Sequence, residues 1–256
     1  MKIRIFRCKT FCILSFLVFS GCATIPGINN LTQDESFTHD KIVAGMMGVG
    51  GVVSIVNDLD HSVSRKYADI LRDSLVSVRN QLVILPVGEV AQRLEKDHYQ
   101  AILHDYKYTG KLNVDFLKKL ELSQTAFRYL LLVRIIENEI TKTREKSPRP
   151  EIPPQWDLEG NPIVKEIAVE LITTRRIGVS LDIYDLKKKI PVFSGMINES
   201  KSKERTVYIE KKDEGIGRTF ALIPVRAFLE VALEPAAPRT DKLLRKIFKA
   251  FAQYIP

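Results

Sequence analysis

From Ile177 to Tyr184 the chain alternates residue by residue. Ile177, Val179, Leu181 and Ile183 are apolar, and Gly178, Ser180, Asp182 and Tyr184 fall between them. A period of two places the first set on one face of a strand and the second on the other. A strand needs neighbours, and the sequence offers them on both sides. Residues 127–141 (FRYLLLVRIIENEIT) are rich in branched and aromatic side chains and read as a long strand. Residues 190–199 (IPVFSGMINE) follow 167–186 across the basic turn Lys187-Lys188-Lys189, which predicts a hairpin. The second half of the chain is therefore dominated by a sheet.

The first half has a different rhythm. Residues 42–56 (IVAGMMGVGGVVSIV) are apolar, with glycine at 45, 48, 50 and 51, and read as a buried strand. Ser62 or Ser64 can cap a helix whose Tyr67, Ile70, Leu71, Leu75 and Val78 share one face. Residues 82–87 (LVILPV) read as a short strand, 89–103 as a second helix and 115–122 as a short third one. Helical stretches are expected near 225–234 and 240–253. The predicted order is β-α-β-α-β-β-β, an α/β fold (α+β being the other assignment) with helices packed on a sheet. Between the first two long strands, 146–166 holds five of the twelve prolines and the only tryptophan, Trp156. Proline removes backbone donors, so this stretch is a long loop and not sheet interior. Trp156, with Pro153 and Pro154 beside it, is a candidate partner contact, the alternative being a local plug.

The N-terminus carries an address. Lys2, Arg4, Arg7 and Lys9 precede the uncharged run FCILSFLVF at 11–19, and Ser20-Gly21-Cys22 follow. A basic region, a short apolar region and small residues before a cut make a secretory signal, and the run is too short to span a bilayer. The junction Leu17-Val18-Phe19-Ser20-Gly21-Cys22 resembles a lipobox, the recognition site of the lipoprotein signal peptidase, with Phe19 where leucine is usual. That resemblance implies cleavage before Cys22 and acyl chains, palmitate among them, on its thiol and freed amine. Two or three chains make release negligible, since each buried methylene contributes about 0.8 kcal/mol. Ala23, not aspartate, then implies sorting to the outer membrane, on its periplasmic face. The expected organisation is a signal peptide at 1–21, a flexible tether at 22–40 and a single periplasmic domain at 41–256.

Cysteine and charge follow from that address. Cys8 and Cys12 lie in the removed piece, so no disulfide and no metal pair is expected. The net charge of +8 falls to +4 once Lys2, Arg4, Arg7 and Lys9 are gone. Such an excess suits anionic lipid or cell-wall polymer better than nucleic acid in a secreted protein.

Candidate chemistry is sparse. The glycine run 45–51 lacks both the dinucleotide fingerprint and a Gly-Lys-Ser/Thr ending, so close packing is expected of it. Asp58, Asp60 and His61 sit where a loop enters a helix, where acids favour the helix dipole. His98 and His104 are six apart and do not share a helix face. Glu137 and Glu139 point to one face of a strand, as an acid–base pair or as a solvated surface. In the last helix Leu244, Phe248 and Phe251 belong to an apolar stripe, with Lys242, Arg245, Lys246 and Lys249 charged. A helix of that kind either lies on a membrane, meets another subunit, or packs its stripe on its own domain. No catalytic residue, metal site or cofactor is expected beyond the lipid on Cys22.

The order of elements after a lipobox resembles the curli-secretion channel lipoprotein group. That group includes the activators of penicillin-binding proteins, the exopolysaccharide-export ring lipoproteins and the amino-terminal domain of TolB. The pieces that carry it are a glycine-containing first strand (42–53), the helix at 67–78, a V-I-L-P-V second strand leading into Glu89-Val90, and the strand 127–133. Leu181-Asp182-Ile183-Tyr184-Asp185-Leu186, followed by Val192-Phe193-Ser194-Gly195, complete it. No segment matches the curli channel's paired membrane hairpins. The resemblance implies a non-enzymatic adaptor or assembly factor in envelope biogenesis or export, with an envelope protein or polymer as partner. A ring-forming homo-oligomer and an envelope hydrolase are the alternatives.

Overall fold

A computed structural model describes residues 26–94, 96–120, 126–146, 155–156, 159, 162–164, 166–210 and 234–256. Its elements are β1 (Asn29–Gln33), α1 (His39–Gly45), β2 (Met47–Ser54), α2 (His61–Val78), β3 (Ile84–Leu85), α3 (Val87–Arg93), α4 (Lys96–Thr109) and α5 (Val114–Lys119). There follow β4 (Tyr129–Lys146), β5 (Gln155–Trp156), β6 (Pro162–Val164), β7 (Glu166–Asp185), β8 (Ile190–Glu210) and a final helix, α6 (Thr240–Tyr254). Six strands form one mixed sheet in the order β1-β8-β7-β4-β2-β3, and β5 pairs with β6 apart from it. β2 runs parallel to β3 and β4, while β4, β7, β8 and β1 are antiparallel in turn. The expected α/β class holds: it is a mixed sheet with helices on both faces. Among the described residues no helix is long and apolar enough to cross a membrane.

The alternation that opened the sequence reading decides which residues meet which layer. Ile177, Val179, Leu181 and Ile183 pack with Leu71 and Leu75 of α2 and Leu244, Phe248 and Phe251 of α6. Tyr184, Leu130 and Leu132 face the other way, toward Val90 of α3, Tyr106 of α4 and Leu117 of α5. The glycines of β2 serve packing, as expected. A Cβ on Gly50 would stand 2.7 Å from Leu132 Cδ2 and 2.8 Å from Leu130 Cδ1.

Several boundaries move. Residues 42–45 are helical, and the strand begins only at Met47, after Met46 turns with φ 54°. The expected helix at 89–103 is two helices, α3 and α4. The tether at 22–40 is corrected in its second half. β1 is hydrogen-bonded to β8 with Asn29 opposite Met196 and Gln33 opposite Phe193, and Phe37 is 1% exposed in the core. β1 was hidden because all five of its side chains are exposed; its backbone alone holds it to the sheet. The helix expected near 225–234 lies outside the described residues, except for Glu234.

The three long strands do not stop where the core stops. β4 is paired with β2 only as far as Ile135, and β8 with β1 only as far as Met196. Beyond those points β4, β7 and β8 continue together as a three-stranded arm, in register to Lys146, Glu166 and Glu210.

Candidate functional site

Two features stand out as surfaces for a partner: a cleft beside β2 and the arm. The cleft, of about 350 Å³, opens at the carboxyl end of β2 between α2, α3 and α4. Val52, Val53, Val87 and Leu103 make its apolar wall, and His61, Arg65, His104 and Lys107 stand around it. Tyr99 lines it too; it is 8% exposed, and burial pushes its phenol up to about 12, so it stays protonated. Ser64 Oγ donates to the Val52 carbonyl at 2.6 Å and Ser54 Oγ to Asn57 Oδ1 at 3.2 Å, so neither hydroxyl is directed at a histidine.

The sequence candidates distribute as follows. Asp60 is the N-cap residue of α2 and Asp58, largely exposed, pairs with Lys107. Lys107 holds the Asp58 carboxyl below its usual range by hydrogen bond and charge. No group of three His, Cys, Asp or Glu capable of holding a metal occurs among the described residues. His98 packs against Phe116 and His104 against Tyr108, on different sides of α4. Glu137 and Glu139 sit opposite Gly178 and Arg176, and Arg176 Nη1 lies 3.7 Å from Glu137. They are part of the arm and not a sequestered acid–base pair. Leu244, Phe248 and Phe251 are fully buried against α2 and the sheet, which corrects the membrane or subunit contact for these three side chains. Lys242, Arg245, Lys246 and Lys249 remain outside. Cys22, Pro153 and Pro154 lie outside the described residues; the backbone of Trp156 pairs with Pro162 in the small β5–β6 ladder.

The arm was not foreseen, and it is the more distinctive feature. Residues directly across antiparallel strands share a face. On the side where α6 lies, Arg175 is beside Ile140 and Lys201, Thr173 beside Lys142 and Lys203, and Leu171 beside Arg144 and Arg205. On the reverse side Arg176 is beside Glu139 and Ser200, Thr174 beside Thr141 and Ser202, and Ile172 beside Thr143 and Glu204. Glu170 is beside Glu145 and Thr206. A 2.7 Å contact between Thr174 Oγ1 and Ser202 Oγ agrees with this assignment. Among the described side chains, one face thus bears six cations with Glu199 at its root, and the other bears Glu137, Glu139, Glu145, Glu170 and Glu204 with the single cation Arg176. Two described carboxylates temper the basic face. Glu234 accepts from Lys142 and, at 3.5 Å, from Arg144, which hold its carboxyl below the usual range. Glu199, opposite Ile177 at the root of the arm, accepts from Lys246 of α6 at 2.8 Å.

No family model matches the chain, and no curated protein matches it in sequence. Solved structures resemble it over much of its length at low similarity. The PelC dodecamer from Paraburkholderia phytofirmans has 13% identity and a TM-score of 0.32, covering 88% of this chain and 96% of that one. The hypothetical protein CT253 from Chlamydia trachomatis has 10% identity and a TM-score of 0.34, covering 82% and 97%. Lipoprotein GNA1162 from Neisseria meningitidis has 9% identity and a TM-score of 0.27, covering 73% and 96%. Similarity at this level carries no functional argument.

Proposed function

We propose that the chain is a lipoprotein anchored through Cys22 to the periplasmic face of the outer membrane. There it acts as a non-enzymatic adaptor or assembly factor in envelope biogenesis or export. The observation that supports contact work over chemistry is the arm: three strands run past the core and sort their charges by face, which is useful for recognition and useless to the core. The lipobox supports the address. The cleft, whose serine hydroxyls are engaged elsewhere, supports a binding role more than a hydrolytic one.

The test has two parts. Cells fed radiolabelled palmitate should label the wild-type chain and not Cys22→Ala. A photocrosslinking residue at Thr141 or Ser202, on the acidic face, should then trap a discrete envelope protein in cells. Labelling without any arm crosslink would defeat the adaptor reading while leaving the anchor. A second reading, a ring-forming export component, is favoured by the arm's outer edges on β4 and β8, which pair with no other described strand and which a neighbouring copy could extend. The native mass of the detergent-solubilised mature protein separates the two: a discrete large oligomer supports the ring, a monomer the adaptor.

A further inference from the structure

We infer that the arm lies along the membrane surface with its basic face on anionic phospholipid headgroups, leaving the acidic face for the protein partner. The inference rests on lipid anchorage at Cys22.

The direction of β1 carries the argument. β1 is antiparallel to β8, and Asn29 pairs with Met196 while Gln33 pairs with Phe193. The N-terminal end of β1 therefore points the same way as the arm. From Met196, β8 runs on to Glu210, fourteen residues that span about 48 Å at the rise of an antiparallel strand. From Asn29 back to Cys22 there are seven residues, whose covalent reach is at most about 25 Å. The anchor thus leaves beside the root of the arm on a leash roughly half the arm's length. With the leash continuing in the direction of β1, the arm is directed at the bilayer and, being longer than the leash, either enters it or lies on it.

The faces decide between those. A strand in hydrocarbon needs one apolar face, and the described arm has charges on both. The exposed cations of the basic side line its two edges, Lys201, Lys203 and Arg205 on β8 and Lys142 and Arg144 on β4, with Leu171 and Thr173 of β7 buried between them. On that same side of the sheet α6 presents Lys242, Arg245, Lys246 and Lys249 outward, with its apolar stripe against the core. Cations near an anionic bilayer are attracted individually and screened by salt. The reverse face, with its glutamates, is repelled by the same surface. Orientation follows from the sign difference between the two faces.

The experiment uses the full-length mature chain. The Cys22→Ala form, which carries no lipid, is mixed with vesicles of phosphatidylcholine containing one-third phosphatidylglycerol and with vesicles of phosphatidylcholine alone. Binding is expected only to the anionic vesicles and should fall as salt is raised. Lys201→Gln with Lys203→Gln should weaken it about thirtyfold. Glu139→Gln with Glu204→Gln, on the other face, should not weaken it and controls for folding. Equal binding to both vesicles, or equal loss from both double variants, overturns the inference. So does retention by a soluble sulfated polysaccharide without vesicle binding, which would assign the face to a polymer. Orientation is read separately on the lipidated protein, whose mature sequence offers no other cysteine. A nitroxide on Lys203→Cys should sense the lipid surface and one on Ser202→Cys should stay in water; the reverse pattern overturns the inference. Failure of palmitate labelling with intact vesicle binding would remove the anchor and leave the basic face. Labelling with no vesicle binding would do the opposite.

Discussion

Tyr106 Oη donates to Asp182 Oδ2 at 2.5 Å on the α4 side of the sheet, with the Leu132 carbonyl 3.2 Å from the same hydroxyl. Both residues are buried. The phenol is held well above its ordinary range by burial and by the Asp182 charge, so it remains a donor. Tyr106→Phe keeps the ring and deletes the donor. It should cost about 1.5–3 kcal/mol, the range for a hydrogen bond to a charged group. Urea unfolding at neutral pH measures it, and a loss under 0.5 kcal/mol would mean that water replaces the hydroxyl.

Asp182 itself sets a pH dependence. Burial raises its pKa, with hydrogen bonds from Ser194 and Tyr106 opposing the shift in part. A carboxyl whose folded pKa exceeds its unfolded value favours folding below the unfolded pKa and loses that contribution as pH rises through the folded value. Asp182→Asn should therefore be no less stable than wild type at pH 7 and lose its relative advantage toward pH 4. Thermal unfolding across that interval checks it. A variant that is much weaker at pH 7 and catches up in acid would show the carboxylate to be stabilising.

Two glycines, one in β2 and one near the N-terminus, make opposite predictions. Gly50→Ala drives a methyl into Leu130, Leu132 and the Leu131 carbonyl, and should cost about 1–3 kcal/mol. Gly27→Ala meets nothing within 4 Å and should be close to neutral. Chemical denaturation of the pair tests whether close packing explains the β2 glycines.

The last helix gives the sharpest contrast between neighbours. Phe248→Ala should lose about 3–5 kcal/mol, because the ring is fully buried. Lys249→Ala, on the exposed side, should stay within about 0.5 kcal/mol. Were Phe248→Ala to release the protein from membranes without destabilising it, the core placement of the stripe would be wrong.

What the sequence made legible follows from periodicity. The alternation at 177–184 separated the two faces of β7 correctly, although both face protein, Tyr184 and Asp182 being buried as well. The stripe of α6 was legible as a stripe, and only the fold showed that it packs on its own domain. The glycine run was read as packing because no phosphate-binding pattern accompanied it. The failures share a cause. β1 and the outer thirds of β4 and β8 bury little, so Asn29–Gln33 and the segment ESKSKER carry no apolar rhythm. They are strands because a neighbour offers hydrogen bonds, a fact about pairing and not about composition. The cleft was invisible for another reason: Ser54, His61, Tyr99 and Lys107 come from three elements that only the fold brings together.

The pairing of β1 also has a mechanical meaning. If the chain is anchored at Cys22 as proposed, a pull arriving from its N-terminal side enters the sheet at Asn29, along the strand axis. It loads the β1–β8 hydrogen bonds sideways and together, instead of opening them one after another as a zipper opens. Behind that patch, Phe37 sits wedged among Tyr129 and Phe193 with ring centroids 5.4 and 6.2 Å away. A body tethered in this way resists being dragged by its leash, and a strain between membrane and partner would be borne by the sheet before the core felt it.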